Sequence, residues 1–461
     1  MPAARQPIPA SLVINHEPRR PEVDPTLNIA VEVDRTGSPR NRLVTIGDSV
    51  THGFMSGAIF RTDLSWPAVV AFELGDFATF RRPVYEAPSG PGGLPLDFER
   101  ALRSFEARFG PKLDWHEIVR AASWAALVVL ETARGPGKRA LTPLAAARAL
   151  GAQGTEASGT DASGAGPGIE TLVVLLGSNN ALQAGTRLEV RRSGEGYADL
   201  SKKGAFSVWR PEHFAAEWGL LVKELRRIRA RHVIVGTVPS VTIAPIARGV
   251  RGKVRLGSRY YPYYTRPWVR DEDFDPSSDP HLTEDEARAV DSAIDAYNKT
   301  IIDSVAAARS DGLDWYLFDL GGLLDRLATK RYLDDPAARP AWWTPYPLPP
   351  ELANLDPVPN TRFFASGRDG RTDGGLFSLD GIHPTTIGYG LIAQEVIAIM
   401  NLAQVEFRLP SGERQAGPGG VDFGRVLASD TLINQPPTSL GGQMATLGWL
   451  DDRLDWVRAL F

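Results

Sequence analysis

The sequence predicts an α/β protein built on an open, doubly wound parallel sheet with helices on both faces. Two observations carry that expectation. Short apolar runs rich in β-branched or aromatic residues recur at Leu43-Val44-Thr45-Ile46, Thr171 to Leu176, His232 to Val238 and Trp315 to Leu320, each followed by a glycine, a proline or a polar turn. That is the pattern of strands buried on both faces. Segments with apolar residues at helical spacing follow them, at Trp66 to Leu74, Leu96 to Phe109, Pro211 to Arg231 and Glu284 to Ala308. Strand and helix thus alternate, and in such sheets functional groups gather beyond the carboxyl ends of the strands.

In chain order, residues 1–42 carry Pro2, Pro7, Pro9, Pro18, Pro21 and Pro25 among charges and read as an extended arm. Residues 43–401 form the main domain, with insertions at about 132–168 and 248–280, and residues 402–461 are a C-terminal extension. Gly151 to Gly168, dominated by Gly, Ala, Ser and Thr, predicts a disordered loop. Arg248 to Pro280 concentrates Tyr260, Tyr261, Tyr263, Tyr264, Trp268 and Phe274. These rings fit either a lid or pocket wall, or an insertion that packs on itself. Thr283 followed by Glu284, Asp285 and Glu286 is a helix-cap signal and needs no metal to explain it. At the end, Leu447, Leu450, Leu454, Val457 and Phe461 share one helical face, predicting a terminal helix docked on the core.

Composition narrows the function classes. A chain of 461 residues, 43% hydrophobic and 23% charged, has the values of an ordinary folded protein. A net charge of -4 gives no basic footprint for nucleic acid. With no cysteine there is no disulfide, thiolate metal site or cysteine nucleophile. The first thirty residues lack a basic segment leading into an apolar run and a cleavage site, which predicts a cytoplasmic protein unless the chain was trimmed. The longest apolar stretch, Trp124 to Leu130, is far shorter than the ~18 residues of a membrane span.

Chemistry concentrates in four short blocks. Gly47-Asp48-Ser49 follows the first strand and sets a serine hydroxyl on a turn at the sheet edge; alone, the tripeptide is also a common helix-cap sequence. Asp380-Gly381-Ile382-His383-Pro384 opens an apolar helical stretch from about Thr385 to Asn401, with Pro384 suiting the first helical turn. Asp380 is spaced to curl back on one imidazole nitrogen of His383, leaving the other to take a proton from a serine. Acyl transfer also needs donors for the developing oxyanion. Asn179, in Gly177-Ser178-Asn179-Asn180 after the second strand, offers a side-chain amide. Ser89-Gly90-Pro91-Gly92-Gly93 offers backbone N–H groups that a substrate can approach closely.

In this order the blocks resemble the GDSL/SGNH hydrolase superfamily. The resemblance implies a flavodoxin-like three-layer α/β/α sandwich and hydrolysis of esters, among them lipids, acetylated sugars and acyl thioesters, without a metal or organic cofactor. Carried over by position, it makes Ser49 the nucleophile and a backbone oxyanion donor, Asn179 the side-chain donor, His383 the base and Asp380 its orienting acid. Gly90 is the favoured third donor, with Gly93 as the alternative. Two departures stand out: Asn180 occupies a position where the family usually has aspartate, and Val50 one where it has leucine. The expected function is a serine esterase or lipase working through an acyl-enzyme on a small-molecule, lipid or carbohydrate ester. The rivals are an acyltransferase of the same fold and a catalytically idle binding protein.

Other signals fail on spacing. His116-Glu117 has Arg120 where a zinc-protease helix needs a second histidine, and Gly137-Lys138 has Thr132 and Arg139 where a phosphate loop needs glycine and Ser or Thr. His16, His213, His232 and His281 lack neighbours at ligand spacing. His52, three residues beyond Ser49, is a candidate pocket residue, and Trp342, Trp343 and Tyr346 are candidates for sugar stacking or an acyl pocket.

Overall fold

Four parallel strands form the centre of the molecule: β1 (Asn41–Gly47), β2 (Ile169–Leu175), β3 (Ala230–Gly236) and β4 (Trp315–Phe318). They are hydrogen-bonded in the order β4-β3-β2-β1. The computed structural model describes residues 8, 12–59, 61–82, 86–87, 90–91, 142–157, 160–163, 166–199, 202, 205–409 and 411–438. The expected helix Leu96 to Phe109, the apolar stretch Trp124 to Leu130, the terminal helix Thr446 to Phe461, Gly93, His116-Glu117 and Gly137-Lys138 lie outside the described residues.

Successive residues of a strand point to opposite faces, and here both faces are apolar. Leu172, Val174, Val233, Val235, Trp315 and Leu317 pack on one side against α3 (Pro211–Leu225) and α4 (Glu284–Ser310). Val173, Leu175, Ile234, Tyr316 and Phe318 pack on the other against α2 (Trp66–Glu73), α5 (Leu320–Leu327) and α6 (Thr386–Leu402). Each fully buried side chain of this kind contributes about 1.5–3 kcal/mol. The layers are therefore helix, sheet, helix. Before α2, the short helix α1 (Ser49–His52) follows β1 directly.

Several boundaries move from the sequence expectation for identifiable reasons. Helix α3 ends at Leu225 instead of Arg231 because Ala230 already pairs with Ile169 in the sheet. Leu320 belongs to α5, not to the fourth strand: the Asp319 carboxylate accepts from Gly322 N–H at 3.0 Å and starts the helix. The capping box at the start of α4 forms as expected, with Thr283 Oγ1 accepting from Glu286 N–H and Glu286 Oε2 from Thr283 N–H.

The Gly/Ala/Ser/Thr tract is not an open loop. Thr155–Ala157 and Thr160–Ser163 pair antiparallel, and the first of them adds to Ser38–Pro39. Edge pairing satisfies the backbone of these strands without any hydrophobic pattern. The aromatic insertion packs on itself and on α4. Arg248–Val250, Tyr263–Thr265 and Leu282–Thr283 make a small antiparallel sheet. Tyr260 and Tyr264 are buried, and the Tyr260 hydroxyl donates to Asp291 Oδ2 at 3.0 Å on α4. Arg331 bridges Asp291 and Asp325 beneath it. The residues of the N-terminal arm that are described run without helix across the molecule. Arg19 forms a two-pronged pair with Asp319 (3.0 and 2.6 Å), and Pro25 O accepts from Leu317 N–H of β4.

At the opposite end of the sheet from the strand carboxyl termini, His232 is buried with its Nδ1 2.6 Å from Asp314 Oδ2 and its Nε2 3.7 Å from Glu170 Oε1. Burial works against the imidazolium, but the two carboxylates outweigh it and raise the pKa above the ordinary 6.5. A raised histidine pKa gives stability that is full below about 6.5 and is lost as pH rises through the folded value. The melting-temperature gap between wild type and His232→Gln is therefore expected to be widest near pH 6 and to narrow toward pH 9. A gap that stays constant across that range would contradict the charged state assigned to His232.

Candidate active site

Adjacent parallel strands bring two of the blocks together. Register pairs Gly47 with Leu175, so the turn after β1 and the turn after β2 leave the sheet side by side. Asp48 N–H donates to Leu175 O at 3.3 Å. Gly47 must lack a side chain, since a Cβ there would lie 1.9 Å from Thr51 Oγ1 and 3.0 Å from Leu175 O. Gly177 has φ +116°, a conformation that turns the chain abruptly into Ser178–Asn180.

Asp48 caps α1, its Oδ1 accepting from Val50 N–H at 3.1 Å while its carbonyl accepts from Thr51 and His52. The N–H groups of a helix's first turn have no intrahelical partners. Of the N–H groups of Ser49, Val50, Thr51 and His52, the last three donate to Asp48, and only that of Ser49 has no acceptor among the described residues. Burial pushes the Asp48 carboxyl up, although the Val50 N–H and the nearby His383 oppose that rise.

The third block arrives from 334 residues downstream. Asp380 and His383 form a tight turn in which Gly381 N–H donates to Ser378 O at 2.9 Å and Ser378 N–H donates to His383 O at 2.8 Å. His383 Nδ1 lies 2.9 Å from Asp380 Oδ2, and its Nε2 lies 2.8 Å from Ser49 Oγ. Both residues are almost wholly buried, and the Phe54 ring covers the imidazole at a centroid distance of 4.3 Å. These partners assign the proton to Nδ1 and leave Nε2 as an acceptor facing the serine.

Asp380 is held by more than the histidine. Its Oδ1 accepts from Ile382 N–H (2.9 Å) and His383 N–H (2.8 Å), and its Oδ2 accepts from Gly57 N–H (2.9 Å). Burial alone would raise its pKa, but His383 and these donors hold the carboxyl below its ordinary value. Helix α6 begins one step later than the sequence suggested: Thr385 is the N-cap, and Pro384 precedes it in a bridge to Phe377. The β-bridge fixes Pro384 outside the helix, so the turn carrying His383 is braced by both a strand contact and a cap.

Asn179 lies exposed beside Ser49 and His383, lining the same two cavities, and its amide makes no hydrogen bond to the described residues. Gly90 falls in a two-residue strand, Gly90–Pro91, paired with Glu86–Ala87. The placement of the remaining candidates departs from the sequence reading. His52 is exposed at the end of α1 and lines neither cavity. Trp343 donates its Nε1–H to Asp325 O, and the Tyr346 hydroxyl donates to Glu395, so these rings brace the fold away from the serine. None of the described aromatic residues of 248–280 lines either cavity.

Two cavities meet at Ser49. A narrow one of about 110 Å³ runs between the sheet edge, α5 and α6; a wider one of about 640 Å³ carries Asn180, Gln183 and Glu217 among Trp209, Phe214 and Trp218. Sequence reasoning missed Gly57, Phe54 and the leucines of α5. The last of these had a usable signal, because Leu320, Leu323, Leu324 and Leu327 recur at helical spacing. Among the described residues, no group of three or more His, Asp or Glu side chains is placed to hold a metal ion. No helix there is long and apolar enough to cross a membrane. No protein-family model matches the chain, and no curated protein matches it.

Proposed function

We propose that the protein is a serine ester hydrolase of the GDSL/SGNH kind, acting through an acyl-enzyme on Ser49. The observation that carries this is the continuous hydrogen-bonded chain Ser49 Oγ to His383 to Asp380, set at the carboxyl edge of a parallel sheet and open to two cavities. A structural histidine has no need of a serine hydroxyl on one nitrogen and a carboxylate, itself held by three N–H groups, on the other.

The chemistry follows from the geometry. Ser49 Oγ attacks the acyl carbon while its proton passes to His383 Nε2, and Asp380 stabilises the imidazolium. The carbonyl oxygen, now anionic, is met by Ser49 N–H and the Asn179 amide. His383 returns the proton to the leaving alkoxide, the C–O bond breaks, and the acyl group stays on Ser49. Water, deprotonated by the same His383, then releases the carboxylic acid and restores the serine.

The purified protein should hydrolyse activated aryl esters with a burst of alcohol release before the steady state. A folded protein inert toward esters from acetyl to long-chain acyl would contradict the proposal. Asn179→Ala is expected to lower kcat by about 100- to 1,000-fold with little change in KM, because the amide acts on charge present only in the transition state. An equal fall in affinity for the ground-state ester would instead make Asn179 a binding residue.

A further inference from the structure

Resting on the hydrolase reading, we propose that the narrow cavity beside Ser49 is the acyl site and that it selects straight, medium-length acyl chains. Its walls include Leu182, Val241, Leu323, Leu324, Leu391 and Ile392. The titratable groups on the lining are Asp48 and His383, and both stand at the Ser49 end. Beyond that end the lining is apolar apart from Thr237 and Ser240, and the Thr237 hydroxyl is already engaged by Asp319 and Gly321 N–H, so the surroundings suit a hydrocarbon better than a charge.

The length comes from α5. Leu320, Leu323, Leu324 and Leu327 all line the cavity, at i, i+3, i+4 and i+7, so one face of the helix is turned toward it. At 1.5 Å per residue that face extends for about 10 Å, the reach of roughly eight chain carbons. Leu323, Leu391 and Ile392 are buried and packed into the apolar core on the α2, α5 and α6 side of the sheet, which fixes the bore of the cavity. Protein interiors do not leave apolar space of this size unfilled without a cost in stability, and here the space opens on a hydroxyl poised for attack. The wider cavity, with its mixed polar and aromatic lining, then receives the alcohol portion of the ester.

The test separates chain binding from catalysis by using Ser49→Ala protein and neutral straight-chain amides, acetamide through dodecanamide, in calorimetric titrations. Affinity is expected to rise about fourfold per methylene and to level off at roughly eight carbons. In the same background, Leu324→Trp should flatten the series, and Leu324→Ala should move the plateau to longer chains; Leu324 is partly buried, so both changes are made where packing can adjust. An affinity independent of chain length, or a rise that a folded Leu324→Trp protein retains, overturns the assignment. Fluorophosphonate labelling of wild type is scored separately. Labelling with a flat amide series removes the acyl site and leaves the hydrolase; a steep series without labelling supports the apolar chain site and removes the hydrolase.

Discussion

Ser49→Ala is expected to lower the kcat for ester hydrolysis by about a millionfold while leaving the fold and melting temperature close to wild type. The magnitude reflects concerted action: once the nucleophile is gone, His383 and Asp380 have no proton to move, and single losses in such a unit cost nearly as much as loss of the whole. The fold should tolerate the change because Ser49 is only half-buried, its Oγ bonds to His383, and the cap of α1 belongs to Asp48. Paired measurements of turnover and thermal unfolding check both halves. Wild-type turnover in the variant would move the nucleophile elsewhere.

The second large effect is Asp380→Asn, expected to cost about ten-thousandfold in kcat. An asparagine can keep its oxygen toward Ile382 and His383 N–H only by turning its NH2 toward His383 Nδ1 and Gly57 N–H. Nδ1 would then have to accept, which puts the ring proton on Nε2, facing Ser49 Oγ, and removes the base. The opposite amide orientation strands two buried N–H groups, at about 1–3 kcal/mol each. The variant should therefore lose stability as well as activity. The sign with pH is definite: the Asp380 pKa is depressed, so its contribution to stability is full above the ordinary carboxylate range and is lost as pH falls through the lowered value. The stability difference between wild type and Asp380→Asn should accordingly shrink in strong acid, as followed by unfolding at stepped pH. A variant retaining activity within tenfold of wild type would show that Asp380 does not set the tautomer.

Much of this arrangement was legible in the sequence. Strand positions followed from β-branched runs ending at Gly47, Leu176, Val238 and Leu320, each within about two residues, and parallel order from the helices between them. The three residues Ser49, Asp380 and His383 were legible because turn chemistry is local: a serine after strand and glycine, and an aspartate three residues before a histidine. Their meeting across hundreds of residues was an expectation from the order of the blocks, and the geometry brings them within hydrogen-bond distance.

What escaped the sequence depends on tertiary context. The aromatic residues of 248–280 carry the same composition whether they wall a pocket or pack on α4, and the choice was made by the buried Asp291 and Arg331 that receive Tyr260. The small-residue tract lacked a hydrophobic pattern, yet backbone pairing with Ser38–Pro39 gave it a hairpin. The cavity was illegible for a different reason: leucines that line empty space and leucines that fill it have the same spacing along a helix.

The most direct test of the central claim is intact-mass spectrometry after incubation with a fluorophosphonate, comparing wild type with Ser49→Ala. One covalent adduct is expected on wild type and none on the variant, since only a serine activated by His383 reacts readily. An adduct of equal yield on folded Ser49→Ala, or none on folded wild type, would contradict that claim.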